Sequence, residues 1–386
     1  MKRSLKIVNI AFLTVIAVIL FAGLGKTVFL PKDVNFYENR PANQIGELSV
    51  PAFLEKSFQT SMENALSDQI PLSQTMKQWY NDGSNRFVLT MLSDFMKTHP
   101  DRYITFLGMP IFGGENLVYE PRALADVSQW IDERTDNLNA IMEQNPGVEY
   151  FAYFIEKDTD INFETGEKIG AYEYVRDRLK LDADHIARFE IDDFEIYRKY
   201  FYKTDHHWNY QGSYKGYQET ASLLGIDEIL TPVEEIDTGY LFSGSKSEAI
   251  GGTEFFKEEF YAYRFDFPEM DITVDGKPAE DYGEQEAYLK GIPEGISYGL
   301  FYGSDYGEVV FDAHRTDKPN LLVLGESFDN AILKLLASGC NRLYSVDLRA
   351  NEGFAFSDYI REHEIDTVLF IGNLDYFVSE DFLMEE

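Results

Sequence analysis

Residues 320–339 read NLLVLGESFDNAILKLLASG, and this stretch decides the fold. Leu321 to Leu324 are apolar without alternation, the mark of a short strand buried on both faces. Gly325 and Glu326 make a tight turn, Ser327 opens a helix and Gly339 closes it. The same alternation continues downstream. RLYSVDL (342–348) reads as a strand, GFAFSDYIREHEI (353–365) as a helix and DTVLFIGN (366–373) as a strand. Repeated strand-helix-strand units predict a parallel sheet covered by helices.

Working upstream, VEYFAYFIEK (148–157) is a second nearly continuous apolar strand. It follows a long amphipathic helix over 121–147, opened by Pro121 and closed before Pro146-Gly147. DRYITFLGMPIFGG (101–114) predicts a strand or hairpin, 167–183 a helix, and 212–226 a helix ending at Gly225. Residues 231–318 are acidic, rich in Gly, Tyr and Phe, and predict a β-rich, irregular insertion. The expected class is α/β with a mainly parallel sheet.

The chain has 386 residues, of which 44% are hydrophobic and 15% aromatic, enough for a large core. Its formal charge of −33 argues against nucleic acid, whose phosphates need a basic surface. It also argues against lying flat on anionic lipid. One cysteine, Cys340, rules out an intramolecular disulfide and a Cys-rich metal site; it reads as a buried small apolar residue.

The N-terminus carries Lys2, Arg3 and Lys6 ahead of the apolar run IVNIAFLTVIAVILFAGLG (7–25), long enough to span a hydrocarbon core. The cations place this end in the cytoplasm and export the rest. Ala22, Gly23 and Gly25 allow a cleaved signal peptide as the second reading, but they make a poor cleavage site, so a retained anchor is expected. The expected organisation is a cytoplasmic tip and anchor over 1–26, then a tether and N-terminal helices over 27–100. A main domain over 101–386 follows, with the insertion 231–318 inside it.

Two motifs carry chemistry. Ser327 would sit beyond the carboxyl end of a strand, where ligands bind in open parallel sheets, and at a helix N-terminus, which favours a developing oxyanion. A serine there is otherwise simply an N-cap. YKTDHHWNYQGSY (202–214) holds two of the six histidines. In an extended chain Asp205 and His207 face one way and His206 the other. That spacing allows an Asp–His pair that could activate a serine. Trp208 could shield it, and Asn209 could cap the next helix. A metal on Asp205, His206 and His207, with His314 as a fourth ligand, is the competing reading. Adjacent ligands on an extended segment make it awkward, and a packed aromatic turn is the third reading.

At these motifs the sequence resembles the bacterial DHHW proteins. They are similar to the alginate O-acetylation proteins of the SGNH (GDSL-like) hydrolase superfamily. The segments FYENRPANQIGELSVPAF (36–53), SMENALSDQIPL (61–72) and FLGMPIFGG (106–114) also match, as does the strand–serine–helix element. The resemblance implies an SGNH-like three-layer α/β/α fold, with Ser327 as nucleophile, His207 as general base and Asp205 as its orienting partner. It makes Asn330 an oxyanion candidate and Asn373 a weaker one. Arg349 is a substrate candidate that could equally form a surface salt bridge. Glu326 stands where an aspartate is frequent in that family.

The expected function is an extracytoplasmic, membrane-anchored acyltransferase or esterase acting on O-acetyl groups of a cell-surface polysaccharide, without metal or cofactor. The resemblance implies work beside a multi-pass membrane O-acyltransferase. The alternative is a non-catalytic glycan-binding or scaffolding subunit of a surface-polysaccharide machine.

Overall fold

The computed structural model describes residues 2–35, 40–69, 73–251, 255–351 and 353–384. They divide into two units, 1–95 with 243–257, and 96–242 with 258–386.

In the first unit, helix Lys2–Phe29 is long and apolar enough to cross a membrane, with a mean hydropathy of 2.2 over Phe12–Phe29. A further helix, Ser57–Gln69, ends in two buried polar residues. The Asp68 carboxylate accepts from the Asn35 side chain at 3.1 Å and from the Asn43 backbone and side chain at 2.8 Å. The Gln69 amide both accepts from the Lys32 N–H and donates to its carbonyl. The Asp-Gln pair of SMENALSDQIPL thus pins the polar tether to the helix end. Glu38, Asn39 and Pro71 of the matched segments lie outside the described residues.

The second unit is mixed α/β, built on an eight-stranded, mainly parallel sheet. Its strands are β1 (Glu149–Ile155), β2 (Ile186–Phe189), β3 (Asp271–Val274), β4 (Lys277–Ala279), β5 (Glu308–Asp312), β6 (Asn320–Leu324), β7 (Arg342–Val346) and β8 (Thr367–Asn373). Their order is β4-β3-β5-β7-β6-β8-β1-β2. The block β7-β6-β8-β1-β2 is parallel, and β5, β3 and β4 extend it antiparallel. Those three strands come from the stretch read as a β-rich, irregular insertion. That stretch also supplies a separate hairpin, Glu234–Phe242 with Glu258–Arg264.

Successive β6 residues feed opposite cores. Leu321 and Val323 join Tyr153, Ile371, Trp208 and Tyr217 on one face. Leu322 and Leu324 join Phe154, Phe370, Ile131 and Leu138 on the other. Burial on both faces is why the run is apolar without alternation, and each fully buried side chain is worth about 2 kcal/mol. The unit's helices include α1 (Leu124–Gln144), α2 (Ala171–Arg176), α3 (Phe194–Tyr200), α4 (Tyr210–Leu223), α5 (Leu333–Ala337), α6 (Phe356–Glu362) and α7 (Leu374–Val378), with short ones at Gln285–Leu289 and Tyr298–Tyr302. Cys340 is buried, and its thiol donates to the Leu336 carbonyl; burial pushes its pKa up to about 12.

Candidate active site

All five parallel strands end on one edge of the sheet, and the chemistry-bearing residues collect beyond it. β6 ends at Leu324, and the turn after it is very tight. A Cβ on Gly325 would lie 2.1 Å from Asp329 Oδ2 and 2.9 Å from Ile371, so only glycine lets the turn close. The expected helix from Ser327 does not form at once. A 3-10 turn, Asp329–Ala331, comes first, and the α-helix is confined to Leu333–Ala337. Ser327 therefore has no α-helical N-terminus behind it, and the dipole argument falls away.

His207 arrives from the other side. The chain leaves α3 through Phe201, which forms an isolated antiparallel bridge with Trp208. Between them residues 203–207 bend instead of extending. The Trp208 indole packs on the glycine face of α4, where a Cβ on Gly216 would meet its ring at 2.4 Å and one on Gly212 would meet the Tyr200 carbonyl at 2.1 Å. Asn209 caps α4 as expected, its Oδ1 accepting from the N–H groups of Gln211 and Gly212.

This turn brings three of the expected residues together. His207 Nδ1 lies 2.6 Å from Asp205 Oδ1, and His207 Nε2 lies 2.8 Å from Ser327 Oγ. Asp205 and His207 are buried. The Asp205 oxygen also accepts the His207 backbone N–H at 2.9 Å. A carboxylate can only accept, so Nδ1 carries the proton and Nε2 is free to accept from the serine hydroxyl.

The bend overturns one expectation. His206 does not point away from His207; their ring centroids are 3.9 Å apart. Asp205, His206 and His207 present donor atoms within 4.8 Å of one another, so alternation does not exclude a metal. Geometry argues against one differently. A tetrahedral ion about 2.1 Å from each donor would hold them about 3.4 Å apart. The 2.6 Å between His207 and Asp205 is a hydrogen-bond length instead. His314 stands elsewhere, exposed beside Asp271 at 3.0 Å.

The other three expected residues are held by other partners. Asn330 Oδ1 accepts from the Tyr282 hydroxyl at 2.7 Å, and its amide donates to Asp305. Asn373 caps α7 by accepting the Asp375 N–H. Arg349 forms ion pairs with Asp347 at 2.6 Å and Asp305 at 3.1 Å, the salt-bridge outcome. Glu326 reaches across to accept the Asn373 N–H at 2.8 Å, tying the end of β6 to that of β8. Burial raises the Glu326 pKa. Burial also pushes Asp329 well above the carboxylate range, reinforced by Asp347, Asp305 and Glu326.

Two residues escaped sequence reasoning. The Tyr298 ring stacks on His207, and the Phe328 ring lies 5.0 Å from it. These rings, more than Trp208, wall the imidazole. Tyr298 sits in the 231–318 stretch, where no motif singles out one tyrosine among many. Beside His206 opens a cavity of about 430 Å³, lined also by Tyr119, Arg122, Lys157, Thr159 and Asp375. Burial works against the Lys157 ammonium, yet Asp375, Asp158 and Glu326 outweigh it and raise its pKa.

Solved structures share this architecture. Bacillus cereus PatB1 superposes with a TM-score of 0.56 at 20% identity, covering 74% of this chain and 99% of that one. The same protein with a sulfonyl adduct gives 0.53 at 20% identity, covering 72% and 97%. A DHHW family protein from Eubacterium siraeum gives 0.51 at 17% identity, covering 74% and 98%. The chain has the fold of a DHHW protein. The DHHW residues of this chain, Asp205 to Trp208, form the bend that carries His207 to Ser327. The O-acetyltransferase domain of Pseudomonas putida AlgJ superposes more loosely, with a TM-score of 0.39 at 10% identity over 69% of this chain and 90% of that one. No family model matches the chain, and no curated protein matches it.

Proposed function

We propose that this chain is a membrane-anchored, extracytoplasmic serine acyltransferase or esterase with an SGNH-like fold, acting on O-acetyl groups of a cell-surface polysaccharide. The observation that carries the reading is one imidazole with a carboxylate on one nitrogen and a hydroxyl on the other. As Ser327 Oγ attacks the acyl carbonyl, His207 Nε2 takes its proton, and Asp205 holds the tautomer and supports the imidazolium. His207 then protonates the departing oxygen, leaving an acetyl-serine. A sugar hydroxyl, or water, gives its proton to His207 and attacks the ester, which restores the serine. With the Asn330 and Asn373 side chains engaged, we assign the oxyanion to backbone donors. The Ser327 and Phe328 N–H groups have no protein acceptor among the described residues.

The apolar helix Lys2–Phe29 supports an anchor, with Lys2, Arg3 and Lys6 on the cytoplasmic side. A multi-pass membrane O-acyltransferase is the partner we assign as acetyl source. The test uses the full chain in detergent with 4-nitrophenyl acetate and a sulfonyl fluoride. Wild type should release nitrophenol and take up the sulfonyl group on Ser327 by mass spectrometry. Ser327→Ala and His207→Ala should lose ester turnover by at least ~10³-fold. Equal turnover in all three would sink the proposal and favour a silent glycan-binding subunit.

A further inference from the structure

The cavity beside His206 is a built site that the serine chemistry does not itself use. Asp375 lines it, with Oδ1 accepting from Arg122 at 2.6 Å and Oδ2 from Lys157 at 2.8 Å. Lys157 is buried, whereas Arg122 and Asp375 stay part-exposed at 40% each. Glu120 also lines the cavity, so two cationic and two anionic side chains share it. The two formal charges of each sign cancel, and Asp375 already engages both cations, so no net positive charge invites a carboxylate or phosphate. The chain as a whole carries a formal charge of −33, which repels a polyanion at long range. What remains is a polar surface of fixed donors and acceptors from Arg122 and Asp375, with Thr159, whose hydroxyl donates to Asp160 at 3.3 Å and keeps only its oxygen to accept, beside the rings of Tyr119 and His206. Such a surface pairs hydroxyls and offers flat faces to C–H bonds. Its volume of about 430 Å³ is within the range of small-molecule sites. It abuts the reacting group, since the His206 and His207 ring centroids are 3.9 Å apart.

We propose that this cavity seats an uncharged sugar ring of the glycan that exchanges acyl groups with Ser327. The inference rests on the reading of Ser327 as an acyl-accepting nucleophile, and it narrows the substrate to a neutral polysaccharide. Arg122 and Asp375 bind ring hydroxyls, and Tyr119 supports the ring face.

The full chain in detergent is given 4-nitrophenyl acetate with cellotetraose, maltotetraose, chitotetraose or tetragalacturonate, and acetylated sugar is counted by mass spectrometry. At least one neutral tetrasaccharide should be acetylated at tenfold or more the rate of tetragalacturonate. Arg122→Gln and Thr159→Val, each checked for an unchanged melting temperature, should raise the KM for that sugar at least fivefold, with a smaller change in kcat. Preference for tetragalacturonate overturns the neutral-sugar assignment. An unchanged KM in both variants removes the sugar from this cavity. Ester turnover without acetylation of any neutral sugar also overturns the inference, yet leaves the serine chemistry standing. Absence of both ester turnover and sulfonyl labelling at Ser327 fells the underlying reading instead.

Discussion

The phenol ring of Tyr298 lies flat on the imidazole of His207, with centroids 3.9 Å apart and planes 9° from parallel. Both rings are buried, and Phe328 closes against the imidazole from a tilted angle of 48°. The stack fixes the plane in which Nδ1 meets Asp205 and Nε2 meets Ser327. A misplacement of about 1 Å can cost roughly 100-fold in rate. Tyr298→Leu, which keeps an apolar filler but frees the ring, should lower kcat for ester turnover by ~10- to 100-fold with little change in KM. Tyr298→Phe should stay within ~3-fold of wild type. Steady-state kinetics on the pair decides it, and equal loss in both would point to the hydroxyl, not the stack.

Asp205 leaves the geometry intact when made neutral but no longer selects the tautomer with the proton on Nδ1. Asp205→Asn should therefore lower kcat by on the order of 10³- to 10⁴-fold. Labelling of Ser327 by a sulfonyl fluoride should slow in parallel. A fall of less than tenfold would remove Asp205 from the orienting role.

Stability should fall as pH rises between about 4.5 and 7. Glu258 accepts both the N–H and the hydroxyl of Thr204, the residue before Asp205, at 2.8 Å each. Burial raises its pKa from 4.5 to about 7. The folded state thus holds this proton more tightly than the unfolded chain. The stabilisation is complete below the unfolded value and is lost as pH climbs through the folded one. The difference amounts to ~3 kcal/mol. Asp160, buried and also raised to about 7, acts in the same window. Glu258→Gln mimics the protonated form, so it should flatten part of this slope and raise the melting temperature at pH 8 by a few degrees. Thermal scans at pH 4.5, 6 and 8 measure it.

Gly216→Ala should injure the site from a distance. Its Cβ would fall 2.4 Å from Cζ3 of Trp208 and 2.7 Å from Cη2, forcing the indole, and His207 beside it, to move. Overpacking of this kind costs ~1–3 kcal/mol. Ester turnover should drop together with a shift in tryptophan emission. Gly147→Ala, with open space around its Cβ, is the control that should leave both unchanged.

The sheet was legible where strands are buried on both faces. NLLVL, VEYFAYFI, RLYSV and DTVLFIGN all became strands of the parallel block, because such burial writes itself as an uninterrupted apolar run. The antiparallel edge was readable only as a β-rich, irregular stretch, without its individual strands. In β5 (EVVFD), Val309 and Phe311 are buried and alternate with half-buried residues, a weak pattern inside an acidic, aromatic stretch. The helix after Ser327 was overread, since Asp329 and Ile332 fit helical spacing yet the backbone takes a 3-10 turn first. In the site, the Asp205–His207 spacing was readable but its cause was not. The two side chains meet through a bend that also turns His206 towards its neighbour. The ring walls and the Arg122–Asp375–Lys157 cluster were hidden, because residues up to 253 apart in sequence build them.

His207 and Ser327 lie 120 positions apart, and β8 stands between β6, which leads to Ser327, and β1. It pairs with β6 on one side and β1 on the other. The contact between hydroxyl and imidazole thus hangs on a strand that supplies neither group, and a substitution that loosens the seating of β8 would part the two while leaving both intact.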